Sequence, residues 1–132
     1  MTAHHQTDNE SKLITTFWDG NIADNKFIDA LKYYQKEIKN NTDLCSYNEM
    51  VDLSCVSAIQ LNVKEIMSLA DIAAKSDSDT HKTKLALVVS SNMAFSFGVM
   101  YKGYRNLISK SNKKVGVFKK RADALLWLNM NK

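Results

Sequence analysis

The chain has 132 residues, of which 45% are hydrophobic and 24% charged, and its formal net charge is +4. This length fits a single domain spanning residues 1–132, and no apolar run approaches the ~20 residues of a membrane-spanning helix. Residues 1–10 are polar and lack the apolar core of a signal peptide, so we expect a cytoplasmic protein.

Charge is distributed unevenly along the chain. Residues 80–122 hold ten Lys and Arg and no acid, whereas residues 1–79 hold seven bases and 13 acids. Such a division can mark an anionic partner, for example nucleic acid or a lipid surface. It also arises when elements from both halves lie side by side on one sheet and their charges offset each other. We prefer the second interpretation, so nucleic-acid binding is not expected.

Strand and helix patterns alternate along the chain. In order, the predicted elements are a strand at Leu13–Trp18, a helix from Asp24, a strand at Tyr47–Leu53, a helix from Asn62, a strand at Leu85–Val89, a helix from Ser90-Ser91-Asn92 to about Lys110, a strand at Val115–Phe118 and a helix at Arg121–Leu128. Residues 1–10 allow one short antiparallel edge strand before these. The order predicts an α/β domain with a single, mostly parallel sheet of four to five strands and four helices.

Two of these predictions rest on particular residues. Asn62 with Glu65 three positions later has the form of a capping box, which predicts the start of the second helix. Leu85–Val89 is apolar throughout, which is typical of a central parallel strand covered on both faces.

Three runs, Glu49–Ile59, Val115–Phe118 and Ala124–Leu128, resemble parts of STAS domains and of their bacterial SpoIIAA-like relatives. The run Glu49–Ile59 resembles the strand and Asp-Leu-Ser loop of STAS domains, in which the loop leads to a helix. The SpoIIAA-like family closes with a Val-x-Val-Phe strand and an Ala-Leu-x-Trp-Leu helix, which match Val115–Phe118 and Ala124–Leu128. The resemblance covers about Leu13–Leu128. It implies a small, non-catalytic module, here expected to act in protein interaction or regulation.

The chain departs from that resemblance at two positions. STAS loops continue into Asp-Ser-Ser-Gly, whose serine accepts phosphate, whereas this chain continues with Gln60-Leu61-Asn62-Val63. Leucine cannot take phosphate, so the usual phosphoswitch is not expected here. Many SpoIIAA-like members have an arginine where this chain has Val99.

A candidate ligand edge lies at the predicted carboxyl ends of the strands, where parallel sheets bind ligands and helix N-termini favour anions. Its members are polar residues that follow two strands: Asp52, Ser54, Ser57, Ser90, Ser91 and Asn92. An alternative is that Asp52 caps loop amides and the serines cap helices.

The third helix carries two apolar lines. We expect the first to face the sheet; it consists of Met93, Phe97, Met100, Tyr104 and Ile108, with Tyr101 and Leu107 beside them. Phe95 and Val99 form the second, which covers a neighbouring helix or forms an interaction patch for a protein partner or a second copy of the chain.

Signatures of catalysis are missing from the sequence. Its four glycines do not form a phosphate loop or a dinucleotide fingerprint, and its three histidines lack metal-site spacing, so no enzyme activity, cofactor or metal is expected. Self-association or a protein partner is the favoured function. A small-ligand or lipid carrier, comparable with CRAL-TRIO folds, is the alternative, and an unrecognised enzyme is a third. A carrier should contain an apolar cavity, whereas an interaction module should have a filled core and a flat apolar face.

Overall fold

The computed structural model describes residues 2–40, 44, 46–75, 82–107 and 112–129, which form one five-stranded sheet and four helices. The elements are β1 (Thr2–Asp8), β2 (Leu13–Ala23), α1 (Asp24–Asn40), β3 (Asn48–Gln60), α2 (Val63–Ala74), β4 (Thr83–Val88), α3 (Asn92–Leu107), β5 (Lys113–Phe118) and α4 (Arg121–Leu128). The sheet order is β1-β2-β3-β4-β5, with β1 antiparallel to β2 and the other neighbours parallel. The predicted α/β class, the mostly parallel sheet and the edge strand are confirmed.

Strands that are neighbours in the sheet are also neighbours in sequence, and this decides where the helices lie. The three crossovers from β2 to β5 each step one strand in the same direction, so right-handed connections bring α1, α2 and α3 to one face. α4 packs on the opposite face, against β3, β4 and β5. Side chains of β4 alternate between two cores: Leu85 and Leu87 belong to the three-helix face, and Ala86 and Val88 to the α4 face. All six residues of β4 are buried, as predicted for a central strand.

β3 is longer than predicted. The loop expected at Asp52-Leu53-Ser54 is part of the strand, which runs from Asn48 to Gln60. β4 pairs only with Glu49–Asp52, whereas β2 stays paired with β3 to the end of both strands. The carboxyl-terminal halves of β2 and β3 therefore form a two-stranded ribbon beyond the end of β4.

Buried apolar side chains explain why the ribbon stays paired. Ile22 of β2 is fully buried, and Val56 and Ile59 of β3 pack against the core of the three-helix face. The pairing register shifts between Asp52 and Cys55 and again at Ser57, where β3 has one extra residue each time. Such bulges bend a strand and increase its twist, which accounts for the curvature that brings the ribbon onto the core.

α2 begins at the predicted capping box. The Asn62 side-chain oxygen accepts the Glu65 N–H at 2.8 Å, and the Glu65 carboxylate accepts the Asn62 N–H at 3.0 Å. Both bonds satisfy donors that a helix start otherwise leaves open. From this start α2 buries Ile66, Leu69 and Ala70 against the sheet.

α3 faces the sheet with a line of residues that matches the predicted one only in part, at Phe97 and the adjoining Tyr101. Its buried residues are Ala94, Phe97, Gly98, Tyr101 and Arg105. Met93 is 66% exposed and Met100 39% exposed, so the prediction that they face the sheet is wrong, while Ile108 lies outside the described residues. Gly98 explains why α3 is rotated about its axis relative to the prediction, because a Cβ atom there would lie 2.8 Å from Cγ1 of Val117. Glycine lets this side of the helix approach β5 closely.

Candidate functional site

Asp52, the centre of the predicted ligand edge, lies on the α4 face of β3 and is 7% exposed. Its Oδ1 accepts the Ser54 N–H at 2.9 Å and also the Ser54 hydroxyl. Its Oδ2 lies 3.6 Å from Nη1 of Arg121, whose guanidinium stands 5.2 Å from the centroid of the Phe17 ring. The carboxylate thus holds the first bulge of β3 and the start of α4. A role for it in ligand binding stays a prediction.

The other residues of the predicted ligand edge lie in three separate places. Ser90 donates its hydroxyl to the Ser54 carbonyl at 3.0 Å, which joins it to Asp52. Ser91 accepts the Ala94 N–H at 3.0 Å and caps α3, while Asn92 accepts from Nζ of Lys119 at 2.6 Å. Ser57 is exposed at the second bulge, further along the ribbon. The described strands keep one sequential order, so this edge lacks the order reversal at which open α/β sheets usually bind ligands.

Phe95 and Val99, the candidate interaction patch, lie one turn apart on α3. Phe95 is partly buried against the three-helix core, and Nζ of Lys119 stands 5.2 Å from its ring centroid. Val99 is 49% exposed. The two residues therefore differ in surroundings, and a role for them in association stays a prediction.

A cavity of about 80 Å³ lies on the three-helix face, between β2–β4 and α1–α3. Its apolar wall comes from all of these elements and consists mainly of Trp18, Leu31, Val51, Leu53, Leu69, Leu87 and Phe97. This volume is about half of the ~150 Å³ of an apolar cavity that binds benzene, so the space suits a few waters or a small apolar group. This cavity was not predicted from the sequence.

Polar and apolar residues occupy opposite ends of the cavity. Glu49 and Lys113 stand at the amino ends of β3 and β5, and Arg105 belongs to the last turn of α3, which leads back to that edge. Trp18 and Leu53 lie further along their strands. The polar end is therefore at the amino ends of the parallel strands, the edge opposite to Asp52.

Charged groups at the polar end are well buried. The Glu49 carboxylate and the Lys113 ammonium are 3.1 Å apart, with side chains 15% and 8% exposed. Arg105 is 2% exposed, and its Nη1 donates to the Tyr101 hydroxyl at 2.8 Å. Buried ions are retained when opposite charges or hydrogen bonds offset their lost hydration. This part of the wall thus places two cations and one carboxylate beside an apolar space.

Uncharged hydrogen-bonding groups complete the polar end on the β1 side. The rings of His5 and Tyr34 stack with centroids 4.3 Å apart, and Nδ1 of His5 lies 2.9 Å from Oγ1 of Thr16. The Tyr34 hydroxyl also bonds to Thr16. Burial lowers the pKa of His5 and raises that of Tyr34, and the nearby Glu49 charge also raises the pKa of Tyr34. Both rings are therefore neutral at pH 7.

One signal for this site was present in the sequence. Arg105 continues the line of Ala94, Phe97 and Tyr101 at helical spacing, so a cation stands on the face that the helix buries. A charge in such a position points to a polar site in the core. His5 gave no comparable signal, because its position depends on the register that places it opposite Thr16.

A second concavity of about 320 Å³ lies between α4 and the β1–β2 hairpin. Its wall is largely polar and includes Asp8, Ser11, Asn48 and Arg121. Asp8 accepts the Glu10 and Ser11 N–H groups in the hairpin turn. These contacts hold the hairpin, and the concavity lacks the apolar lining typical of a small-molecule site.

The described ranges contain neither a metal-binding cluster nor a membrane-spanning helix. There, no group of three or more His, Cys, Asp or Glu side chains is placed to hold a metal ion. None of the helices in those ranges has the length and apolar character needed to cross a membrane.

Comparison with known proteins bears on the fold. No protein-family model and no curated protein matches the chain. Four chains of solved structures match, among them an uncharacterized protein from the DUF3478 family with a SpoIIAA-like fold, from Shewanella loihica PV-4. The TM-score is 0.60 at 10% sequence identity, covering 96% of this chain and 92% of the other. An identity this low is evidence of the fold alone. The chain has a SpoIIAA-like fold, as its sequence resemblance predicted.

Proposed function

We propose that this domain is a non-catalytic binding module that holds a small amphipathic ligand between the sheet and α1–α3. The proposal rests on the cavity, which has an apolar end and a polar end. Trp18 and Leu53 lie at the apolar end, and the Glu49–Lys113 ion pair lies at the polar end. Small-molecule sites typically combine an apolar lining with a few polar groups that fix orientation. This is the carrier alternative of the sequence analysis.

Absence of catalysis is part of the proposal. The Thr16 hydroxyl lies beside the His5 imidazole, an arrangement that could activate a nucleophile. However, Thr16 is 3% exposed and its hydroxyl also bonds to Tyr34, which argues against attack on a substrate. The cavity groups are better suited to orienting a bound molecule.

Two tryptophans on opposite faces of the sheet allow a direct test. Trp18 lines the cavity, whereas Trp127 packs on the α4 face. In a Trp127→Phe protein, tryptophan emission comes from Trp18 alone, so entry of a ligand should change its intensity or wavelength. Native mass spectrometry of freshly purified protein identifies candidate ligands by retained mass.

A matched pair of substitutions localises any binding to the cavity. Ala73 lines the cavity, and Ala73→Leu should fill part of it and weaken binding. Ala122 is exposed on α4, so Ala122→Leu adds the same atoms elsewhere. Equal affinity in both variants would place the ligand outside the cavity, and failure to find any retained or added ligand would remove the proposal.

The second candidate function is protein interaction, as homodimer or regulatory complex in the cytoplasm. The observation that favours it is a set of exposed apolar side chains on α3: Met93 (66%), Val99 (49%), Met100 (39%) and Leu107 (78%). Exposed apolar clusters often mark surfaces that a partner covers. Methionine adapts well to such contacts.

A further inference from the structure

We propose that the outer face of α3 binds the same face of α3 in a second copy of this chain, with the two helices antiparallel. The inference rests on the second candidate function and deepens it, because it names the partner and the residues of the contact. It does not depend on the cavity, which the opposite, buried face of α3 lines.

Five exposed residues of α3 have the spacing of a coiled-coil seam. Alternate steps of three and four residues separate them, and together they form the outer seam: Met93, Ser96, Met100, Gly103 and Leu107. This spacing places side chains along one stripe of a helix, at the two heptad positions that meet a partner helix. The stripe lies on the side away from Gly98, which approaches β5.

Large and small residues alternate along the outer seam. Methionine and leucine occupy one heptad position, and serine and glycine occupy the other. In a parallel pair each position would meet its own copy, which leaves gaps between the small residues. In an antiparallel pair each large residue meets a small one. One alignment sets Met100 opposite Gly103 of the second copy and Leu107 opposite its Ser96, and this alternation of volumes is what close packing requires.

Gly103 has a place in this contact that a single copy does not give it. The residue is exposed within α3, and a Cβ atom there would have nothing within 4 Å. Glycine in a helix interior is less favourable than alanine, so packing inside one chain does not account for it. A neighbouring helix that approaches closely does, in the same way that Val117 accounts for Gly98.

Charge also favours a second copy as the partner. The outer seam is uncharged, and so are the residues that flank it, Val99, Tyr104 and Asn106, although each chain carries a net charge of +4. The side of a helix that faces water usually carries charged residues. A partner face without charges suits this surface, and two copies can meet here without opposing like charges.

The length of α3 limits the strength of the dimer. With 16 residues, α3 is about 24 Å long, so the contact is that of one short helix pair. Interfaces of this size belong to weak, transient complexes. We therefore expect a reversible dimer that forms as the protein concentration rises.

The first test is sedimentation equilibrium of the parent protein at concentrations up to about 1 mM. Gly103→Leu should weaken the dimer at least tenfold, because the new side chain fills the space that Met100 of the second copy needs. The single chain has room for it, so the melting temperature of dilute protein should not fall. Lys102→Leu places the same side chain one residue outside the outer seam and should leave the dimer intact.

The second test determines the orientation of the helices. It uses chains in which serine replaces the two native cysteines. A short bismaleimide should cross-link Gly103→Cys protein into dimers, because the two-fold axis lies between positions 100 and 103. Met93→Cys, near the start of α3, should not be cross-linked, because its counterpart lies at the far end of the contact. A parallel pair would be cross-linked at both positions.

Each other outcome counts against a defined part of the inference. Cross-linking of Met93→Cys protein would overturn the antiparallel arrangement. A dimer that tolerates Gly103→Leu and is not cross-linked through Gly103→Cys would overturn the inference and leave protein interaction through another surface. A monomer at every concentration would overturn both the inference and the homodimer form of the second candidate function. Titration of ligands followed by Trp18 emission tests the cavity separately.

Discussion

Nζ of Lys84 donates to the carbonyl oxygen of Trp127 at 2.8 Å and stands 5.1 Å from the centroid of the Trp127 ring. Lys84 belongs to β4 and is 7% exposed, and Trp127 lies in the last turn of α4. The last turn of α4 has no basic residue of its own. The central strand thus supplies the cation that favours the negative end of the helix and satisfies one of its open carbonyls.

Removal of the Lys84 charge should therefore loosen α4. Lys84→Met keeps the apolar stem and removes the donor, so the free energy of unfolding should fall by about 1–3 kcal/mol. Lys82→Met, on an exposed residue two positions earlier, is the matched control. Urea unfolding measures both. An unchanged or higher stability of Lys84→Met would mean that burial of the ammonium costs more than its contacts contribute.

Two glycines of α3 should respond in opposite directions to the same substitution. Gly98→Ala places a Cβ atom 2.8 Å from Val117, so the free energy of unfolding should fall by about 1–3 kcal/mol. A Cβ atom at Gly103 has nothing within 4 Å, so Gly103→Ala should raise it by about 1 kcal/mol through helix propensity. Thermal unfolding measures both. A Gly98→Ala protein as stable as the parent or more stable would contradict the close approach of Gly98 to β5.

Stability should depend on pH through His5. Burial lowers the pKa of His5 in the folded chain, so below about pH 6.5 the unfolded chain binds a proton that the folded chain resists. The free energy of unfolding should therefore be highest above that pH and fall as the pH drops. The melting temperature of the parent protein should decrease more between pH 7.5 and 5.5 than that of His5→Gln. His4→Gln, on the exposed neighbour whose charge makes a smaller contribution to the lowered His5 pKa, should keep most of the parental slope. A parental slope in His5→Gln would assign the dependence to other groups.

Substitutions of Phe95 and of Val99 should distinguish a role in core packing from a role in association. Phe95→Ser should lower the free energy of unfolding by about 2 kcal/mol, since Phe95 packs on the three-helix core. Val99→Ser should leave stability nearly unchanged, because Val99 is 49% exposed. If the second candidate function holds, Val99→Ser shifts sedimentation toward monomer. An unaltered association state in that variant would leave Val99 without a role in association.

Local signals in the sequence were enough for much of the fold. The unbroken apolar run predicted β4, and the Asn62–Glu65 capping box predicted the start of α2. Each pattern spans only a few residues, and both predictions are confirmed. Each depends on physical preferences that act over a few residues. The SpoIIAA-like resemblance added the order of the elements.

Features set by contacts between distant residues could not be predicted in this way. The end of β3 depends on its pairing with β2, and the rotation of α3 depends on how closely Gly98 meets Val117. The cavity depends on residues that are even further apart in sequence. Four residues of its wall come from four different elements: Tyr34, Glu49, Arg105 and Lys113. Asp52 was singled out as the residue that ends a strand, whereas β3 continues beyond it to Gln60.

The sequential strand order also has a consequence for assembly during synthesis. Each strand from β2 onward pairs with the strand made just before it, so the sheet can grow in the direction of translation without waiting for a distant segment. The α4 face is different, because Met50, Ala86 and Val88 are covered by the helix made last. A nascent chain halted before Arg121 would present this apolar surface to the solvent, and chaperones that recognise apolar surface would bind it at that stage.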